Sequence, residues 1–457
     1  MSLASRLKAM WGKLDESWRV AITLFLVIRT FYALWSWIVL TVQPVAVHYI
    51  EVRDEPAVIF LDLHTAQSFA YLRKVNGQPL TFRAAGNNRV TDLQTGSLWD
   101  IHTGAASEGY FKRTGLSPTV PESNMFAYFG IKPYRNAWLG LWQRFDAIWY
   151  TSIAEYGYGA IDGDYAFPPF FPLLIRFLKP VFGDAFLTGL FLSHITTLYA
   201  LKLLYEVFVQ WSEGGTAQQT LVFFLLFPSS FFLFSVYTEP LFLVLAILST
   251  KCMQDHKWLW AGFWTFLAIL TRLQGIALFA PMLYLMWKDA PFLRRVQHWS
   301  GLLFAGSGFL LYAYLRSIII QSYDGPFSDP VWQARLVPPW EAYLMGIQNI
   351  LSGMFNYIDL LNWLVTTLFM ILLVAGWRKI PLEYNLYSSF SFLVILTRVV
   401  EGQPLLAMLR YSLTLFPIFF SIEKVTRNPW LRRIIIYTWI ALNLYLSAEF
   451  FGWGYVA

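Results

Sequence analysis

The side chain with the strongest claim to chemistry in this sequence is a single carboxylate. Asp146 lies in WQRFDAIWYTSIAEYGYGAIDGDYAFPPFFP, residues 142–172, with Arg144 and Phe145 before it and Trp149 and Tyr150 after it. An acid at the rim of a membrane bundle is costly unless it is used or paired, so it is either a reacting group or an ion-pair partner of Arg144. A positioned carboxylate can accept a proton from an attacking hydroxyl. Glu155 follows nine residues later, roughly 180° around a helix, and does not share that face.

Further along, Thr238-Glu239-Pro240 places a second carboxylate between two apolar runs, and Thr271-Arg272 places a guanidinium between two more. An intramembrane arginine suits a phosphate because its fork bonds two oxygens; neutralisation by Glu239, or helix capping, is the plainer alternative. Arg398, Glu401 and the pair Arg410-Tyr411 gather around the last outward loop, where they either hold a lipid phosphate or face headgroups. Asp162-Gly163-Asp164 has the D-x-D form that holds a divalent cation with a nucleotide sugar in soluble glycosyltransferases, but so short a pattern reads more readily as a solvated turn. The histidines, among them His48, His64, His102 and His194, show no metal-ligand spacing, so neither a zinc site nor a cofactor is expected.

These residues belong to a chain built for lipid. Of its 457 residues 57% are hydrophobic and 14% charged, and the mean hydropathy is +0.47; soluble proteins carry about 25% charged residues. A net charge of +6 would suggest nucleic acid in a soluble protein. Here the basic residues gather in short loops, the pattern of cytoplasmic loops, and no nucleic-acid partner is expected. The single cysteine, Cys252, cannot form an intrachain disulfide.

The expected fold class is an all-α polytopic membrane protein with about eleven transmembrane helices. Residues 1–42 read as a cytoplasmic N-terminus carrying Arg6, Lys8, Lys13 and Arg19, followed by a first transmembrane helix too long for a signal-peptide core. Residues 43–167 read as the first extracytoplasmic loop. It is a polar insertion with short β-strands, such as Val58 to Leu63 and Pro79 to Ala84, around turns at Asn76-Gly77 and Gly86-Asn87-Asn88, and it ends on the Asp146 stretch. Residues 168–457 read as the polytopic region, with a second outer loop near 322–358 that carries an interfacial helix. A cytoplasmic N-terminus and a cytoplasmic Lys288, Arg294 and Arg295 require one apolar run between 168 and 288 to be short or broken. Pro228, Pro240, Gly275 and Pro281 are the natural break points. No repeat of roughly twenty to fifty residues is visible.

RFDAIWYTSIAEYGY followed by AFPPFFPLL resembles the W-D-A…I-A…G-Y…F-F-P-x-x-P segment of the PIG-V-like mannosyltransferases, the second mannosyltransferase of GPI-anchor biosynthesis and its prokaryotic relatives. FPSSFFLFSVYTEPLFLVLAIL and AILTRLQGIALFAP are similar to that family's P-A…Y-S-E-x-L-F and T-R-x-x-G segments, in the same order. Thr238 stands where the family has the serine of Y-S-E, and Phe145 where it has the tryptophan before the aspartate.

The resemblance implies a GT-C glycosyltransferase that takes a sugar, usually mannose, from a polyprenyl-phosphate carrier on the extracytoplasmic side, with Asp146 in the catalytic position. On that footing Asp146 takes the proton of an acceptor hydroxyl as it attacks the anomeric carbon. Arg144, Glu239, Arg272, Arg410 and Tyr411 bind substrate, with Arg272 or Arg410 stabilising the leaving phosphate. Trp149 and Tyr150 offer faces to a sugar ring. The reaction inverts and needs no metal. The partners are a polyprenyl-phosphate-linked donor, a lipid or glycan acceptor and membrane lipids, in the plasma membrane of a prokaryote or the endoplasmic reticulum of a eukaryote. A polytopic transporter or flippase of a lipid-linked substrate is the competing reading, in which the intramembrane charges mark a path. A lipid-linked transferase of another sugar, of the lipid A aminoarabinose type, is a second.

Overall fold

A computed structural model of the chain describes residues 11–65, 67–86, 88–119, 134, 136–160, 163–212, 216–289, 296–320, 331–400, 403–426 and 428–456. Arg6, Lys8, Asp162, Arg294, Arg295 and Glu401 lie outside those residues, as do residues 321–330 at the start of the expected second outer loop. The chain divides into a helical unit, Met1–Arg29 with Trp149–Leu444 and Val456–Ala457, and a second unit, Thr30–Ile148 with Tyr445–Tyr455.

Among the described residues five helices are long and apolar enough to cross a membrane: Glu16–Val42, Ala185–Trp211, His298–Ile319, Tyr357–Gly376 and Pro429–Phe451. The other apolar runs, counted above toward about eleven crossings, form shorter pieces than the ~20 residues a span needs. Phe170–Phe182 is an amphipathic helix of 13 residues, with Leu173, Phe177 and Val181 exposed and Phe171, Pro172 and Ile175 buried. Leu382–Leu396 is a continuous but short helix of 15 residues, and several of the other runs are interrupted by a broken backbone. The helix Thr216–Leu226 stops before Pro228 and resumes as a 3-10 turn, Ser230–Phe234, while Pro240 opens the helix Glu239–Gln254. Trp258–Thr271 gives way at Arg272 to a 3-10 stretch, Leu273–Leu278, in which a Cβ on Gly275 would stand 2.6 Å from the Ile269 nitrogen. Pro281, by contrast, is accommodated in the first turn of Phe279–Lys288. A third break falls at 405–415, where Ala407 has φ +63° before the one-turn helix Met408–Tyr411.

Irregular backbone at membrane depth is tolerated only where protein or an aqueous cavity satisfies it. Here side chains do so. Asn443 Nδ2 donates to the Phe227 carbonyl at 2.9 Å, and Thr197 Oγ1 to that of Leu233 at 2.6 Å. The breaks are also stitched to one another: Ser229 Oγ donates to the Leu409 carbonyl at 2.8 Å and Gln274 Nε2 to Thr414 Oγ1 at 2.7 Å. Close helix contact comes from small residues, as in other membrane bundles. A Cβ on Gly301, in Val296–Ile320, would lie 2.6 Å from the Trp258 carbonyl of the helix Trp258–Thr271.

In the second unit the insertion is β-structure. Its strands are β1 Val45–Val52, β2 Glu55–Asp62, β3 Ser68–Leu72, β4 Lys74–Val75, β5 Gln78–Pro79, β6 Phe82–Ala84, β7 Arg89–Asp92, β8 Leu98–Asp100, β9 Ala106–Glu108 and β10 Ser117–Pro118. Two four-stranded antiparallel sheets, β1-β2-β3-β10 and β6-β7-β8-β9, flank the hairpin β4-β5. Two-residue turns in which both residues have positive φ suit the right-handed twist of a hairpin. Arg53-Asp54 and the expected Asn76-Gly77 provide them. Val58, Phe60, Phe82, Val90 and Trp99 form the core, with Phe82 edge-on to Trp99 at 5.9 Å.

The insertion also repeats a four-residue turn, Asp-x-x-Thr, at Asp62, Asp92 and Asp100, too short to register in a search for long periods. In each, the aspartate accepts from the amide of the following threonine, at 3.4, 2.6 and 2.9 Å respectively. Asp92 is fully buried and also accepts from Trp99 Nε1 at 2.9 Å and from the Ser97 amide at 3.1 Å. Burial alone would raise its pKa, but these donors outweigh it and hold Asp92 below the ordinary carboxylate range. Asp92→Ala strands the Trp99 and Ser97 donors, and we expect it to destabilise the insertion by about 2–3 kcal/mol, read as earlier protease nicking within 43–118 of the full chain. Because the native pKa is depressed, the Asp92 contribution is complete above the unfolded value of about 3.9 and is lost as pH falls through the native value, so the gap from wild type should close in acid.

Candidate active site

Asp146 is half-buried and opens the helix Asp146–Tyr156, whose positive end favours a carboxylate. The residue before it is strained: Phe145 has φ +50°. Such a conformation in a bulky residue persists only when its surroundings impose it. They do so here with three rings from the end of the chain, Phe450 at 5.9 Å, Trp453 at 5.5 Å and Tyr455 at 5.6 Å. Arg144 is buried, with Nη1 donating to the Gly140 carbonyl at 2.7 Å and Nε to that of Phe451 at 3.1 Å, and its guanidinium lies 4.7 Å from the Trp453 ring. Burial pulls its pKa down to about 9, which leaves it charged at neutral pH. These bonds to backbone hold the chain on the N-terminal side of Asp146. His48, on β1, completes the frame by donating Nε2–H to the Gly452 carbonyl at 2.8 Å; burial keeps the ring neutral.

In the helical unit the three backbone breaks meet at a cluster of charges. Glu239, fully buried, receives Arg272 Nη1 on Oε1 at 2.6 Å, and Arg410 Nε stands 3.4 Å from the same oxygen. Arg272 Nη1 also donates to Thr238 Oγ1 at 3.0 Å, which lies 3.4 Å from the Tyr150 hydroxyl. Aromatic faces enclose both cations: Tyr411 lies 4.7 Å from the Arg272 guanidinium, and Phe232, Tyr237 and Tyr411 lie 5.6, 5.2 and 5.2 Å from that of Arg410. Among the described residues Glu239 Oε2 has no hydrogen-bond partner although it is buried. Two guanidinium groups thus share one carboxylate in a buried site, an arrangement suited to an anion and to a donor that can reach Oε2.

Aromatics line the approach from Tyr150. Trp149 stacks on Phe167 at 5.2 Å, and Tyr150 stands edge-on to Phe167 at 5.2 Å and Phe171 at 5.3 Å. Trp332, in the segment expected to form a second outer loop, lies 5.5 Å from Trp149 and donates Nε1–H to the Gly163 carbonyl at 2.9 Å. Gly163 has φ +95°, and a Cβ there would meet that indole nitrogen at 2.9 Å. The loop is held from behind by a strand pair, β11 Ala334–Leu336 with β12 Arg398–Val400.

The structure therefore groups Tyr150, Glu239, Arg272, Arg410 and Tyr411, with Trp149 on the adjoining wall, and assigns Asp146 and Arg144 to the second unit. It separates Arg398 from Arg410: the former is exposed on β12, the latter buried on Glu239. Glu155 pairs with Lys179. Asp164 is buried, not solvated, and closes its turn by accepting from the Gly159 amide at 2.7 Å. Trp332, Phe232, Tyr237 and the strain at Phe145 had no sequence signal beyond aromatic abundance.

Residues 115–288 match the family model described as Mannosyltransferase (PIG-V). That span covers Asp146, Trp149, Tyr150, Glu239 and Arg272, and stops short of Arg410. Neither the curated proteins nor the solved structures include a match to the chain. The match extends over less than half of the chain: in that segment, which supplies Glu239 and Arg272 of the buried polar centre, the protein is similar to the PIG-V mannosyltransferases, and the described residues around it include helices fit to cross a bilayer.

Proposed function

We propose that the protein is a GT-C-type hexosyltransferase that moves mannose from polyprenyl-phosphate-mannose to a lipid or glycan acceptor on the extracytoplasmic side of the membrane, with inversion. The observation that carries this reading is the Arg272–Glu239–Arg410 cluster, a buried, cationic, aromatic-walled centre in a chain whose residues 115–288 match the mannosyltransferase (PIG-V) family model. In the reaction the acceptor hydroxyl gives its proton to Asp146 as its oxygen bonds the anomeric carbon. The bond from that carbon to the phosphate oxygen breaks on the opposite face, and polyprenyl phosphate leaves with the electron pair. Arg272 and Arg410 stabilise the charge that develops on the phosphate, and preorganised donors in a water-poor site are effective at that task. Glu239 holds the two guanidinium groups in place, and its Oε2 accepts from a sugar hydroxyl. Trp149 and Tyr150 present faces to the sugar ring.

The broken helices also favour the transporter reading, since transporters bind their substrates at discontinuous helices. Purified protein that releases polyprenyl phosphate from polyprenyl-phosphate-mannose only when acceptor is present would decide for transfer. Asp146→Asn, which keeps the shape and removes the base, should lower transfer by about 10²-fold or more; near-normal turnover in a folded variant would refute the assignment. Arg410→Gln leaves Glu239 paired with Arg272, so the fold should survive while kcat drops by about 10²-fold. A rise in donor KM with kcat unchanged would instead confine Arg410 to ground-state binding.

A further inference from the structure

Two bulky residues of the second unit adopt backbone that glycine usually supplies, and they touch. Phe145 has φ +50° and Trp453 has φ +65°, with their rings 5.5 Å apart. Trp453 belongs to the turn that ends Pro429–Phe451, in which the Gly454 amide donates to the Glu449 carbonyl at 2.7 Å and the Trp453 amide to that of Phe450 at 3.1 Å. Such helix ends place one residue in the left-handed region, and glycine is its usual occupant because it has no Cβ to clash. Here glycines stand on either side, at 452 and 454, yet the left-handed position itself holds a tryptophan that is only 5% exposed. Ending a helix does not call for an indole. Its contacts do: the Phe145 ring, and the Arg144 guanidinium at 4.7 Å.

Both of those residues lead directly into the Asp146 helix. The Arg144 carbonyl accepts from the Ala147 amide at 3.1 Å and the Phe145 carbonyl from the Ile148 amide at 2.9 Å, so the backbone at 144 and 145 shapes the first turn that carries Asp146. If φ at 145 relaxed to the negative values a phenylalanine prefers, that turn and its carboxylate would be redirected. Resting on the reading of Asp146 as the base, we propose that Trp453 is a positioning residue for the reaction: it holds Phe145 in the left-handed region and so fixes the direction of the Asp146 carboxylate. Phe450 and Tyr455 flank the same Phe145 ring at 5.9 and 5.6 Å, and His48 fastens the turn from β1 through the Gly452 carbonyl at 2.8 Å. A displacement of about 1 Å at a reacting group is enough to cost about 10²-fold in rate.

Paired substitutions in the full-length protein separate positioning from helix capping. Trp453→Gly and Trp453→Ala both remove the ring, but glycine suits the turn, so the glycine variant should melt higher than the alanine one. Both should nevertheless lose about 10-fold or more in kcat, with donor KM within about 2-fold of wild type, and Trp453→Phe should recover part of the loss. Activity that follows the melting temperature, or a loss confined to donor KM, would reduce Trp453 to a structural role and overturn the proposal. A second pair leaves Trp453 intact. Phe145→Gly reaches positive φ without steric cost and Phe145→Val does not, so the glycine variant should be the more active by about 5-fold or more; equal activity would overturn the proposal. In the Phe145→Gly background no strained side chain is left to hold, and Trp453→Gly should then cost less than about 3-fold, whereas the same loss in both backgrounds would show that the two residues act independently. Near-normal turnover in Asp146→Asn refutes the base itself, while its loss together with wild-type kcat in folded Trp453→Gly refutes only the positioning.

Discussion

A carboxylate buried between two guanidinium groups is the constraint around which the helical unit is arranged. Removing one ion from water costs several kcal/mol even after relaxation, and attraction repays it only with close geometry and further hydrogen bonds. Glu239, Arg272 and Arg410 achieve that geometry by breaking helices. Each sits at an interruption, where backbone can turn a side chain inward, and each interruption exposes carbonyls that must find donors. Asn443, Thr197 and Ser229 are those donors, drawn from elements far apart in sequence, and Gln274 ties two of the interruptions together through the Thr414 hydroxyl. The charges, the breaks and the buried polar side chains are consequences of one another.

The second unit is arranged around a strained residue. Phe145 adopts a left-handed conformation that costs of order 1–3 kcal/mol, and rings from the C-terminal segment hold it there. Arg144 and His48 fasten the same segment through the carbonyls of Phe451 and Gly452. A β insertion with its own aromatic core therefore bears on the carboxylate that follows Phe145, because His48 belongs to β1.

Aromatic side chains serve three different ends in this protein. Around Arg272 and Arg410 they replace water as partners for cations. In Trp149, Phe167 and Trp332 they form a wall fixed by one hydrogen bond to Gly163, where no side chain would fit. In the insertion they supply the area that so small a β core needs. An aromatic content of 19% is thus distributed over sites, not simply over lipid-facing surface.

The sequence by itself determined that the protein is embedded in a membrane, that Asp146, Glu239 and Arg272 stand at the edges of apolar runs, and that Asn76-Gly77 turns a hairpin. Of the four break points it offered for one interrupted run, Pro228, Pro240 and Gly275 fall at breaks, because proline and glycine act on their own residues, while Pro281 is taken into a helix and the break at Ala407 carried no such mark. Helix continuity escaped it, since hydropathy registers apolar composition whether or not the hydrogen-bond ladder runs unbroken. Only the tertiary structure decided that Arg410 joins Glu239 while Arg398 does not, that Asp164 is buried, and that Trp332 reaches Trp149. Those pairings link residues more than a hundred positions apart, and the cost of burying a charge or a ring is settled by whichever partner the fold delivers.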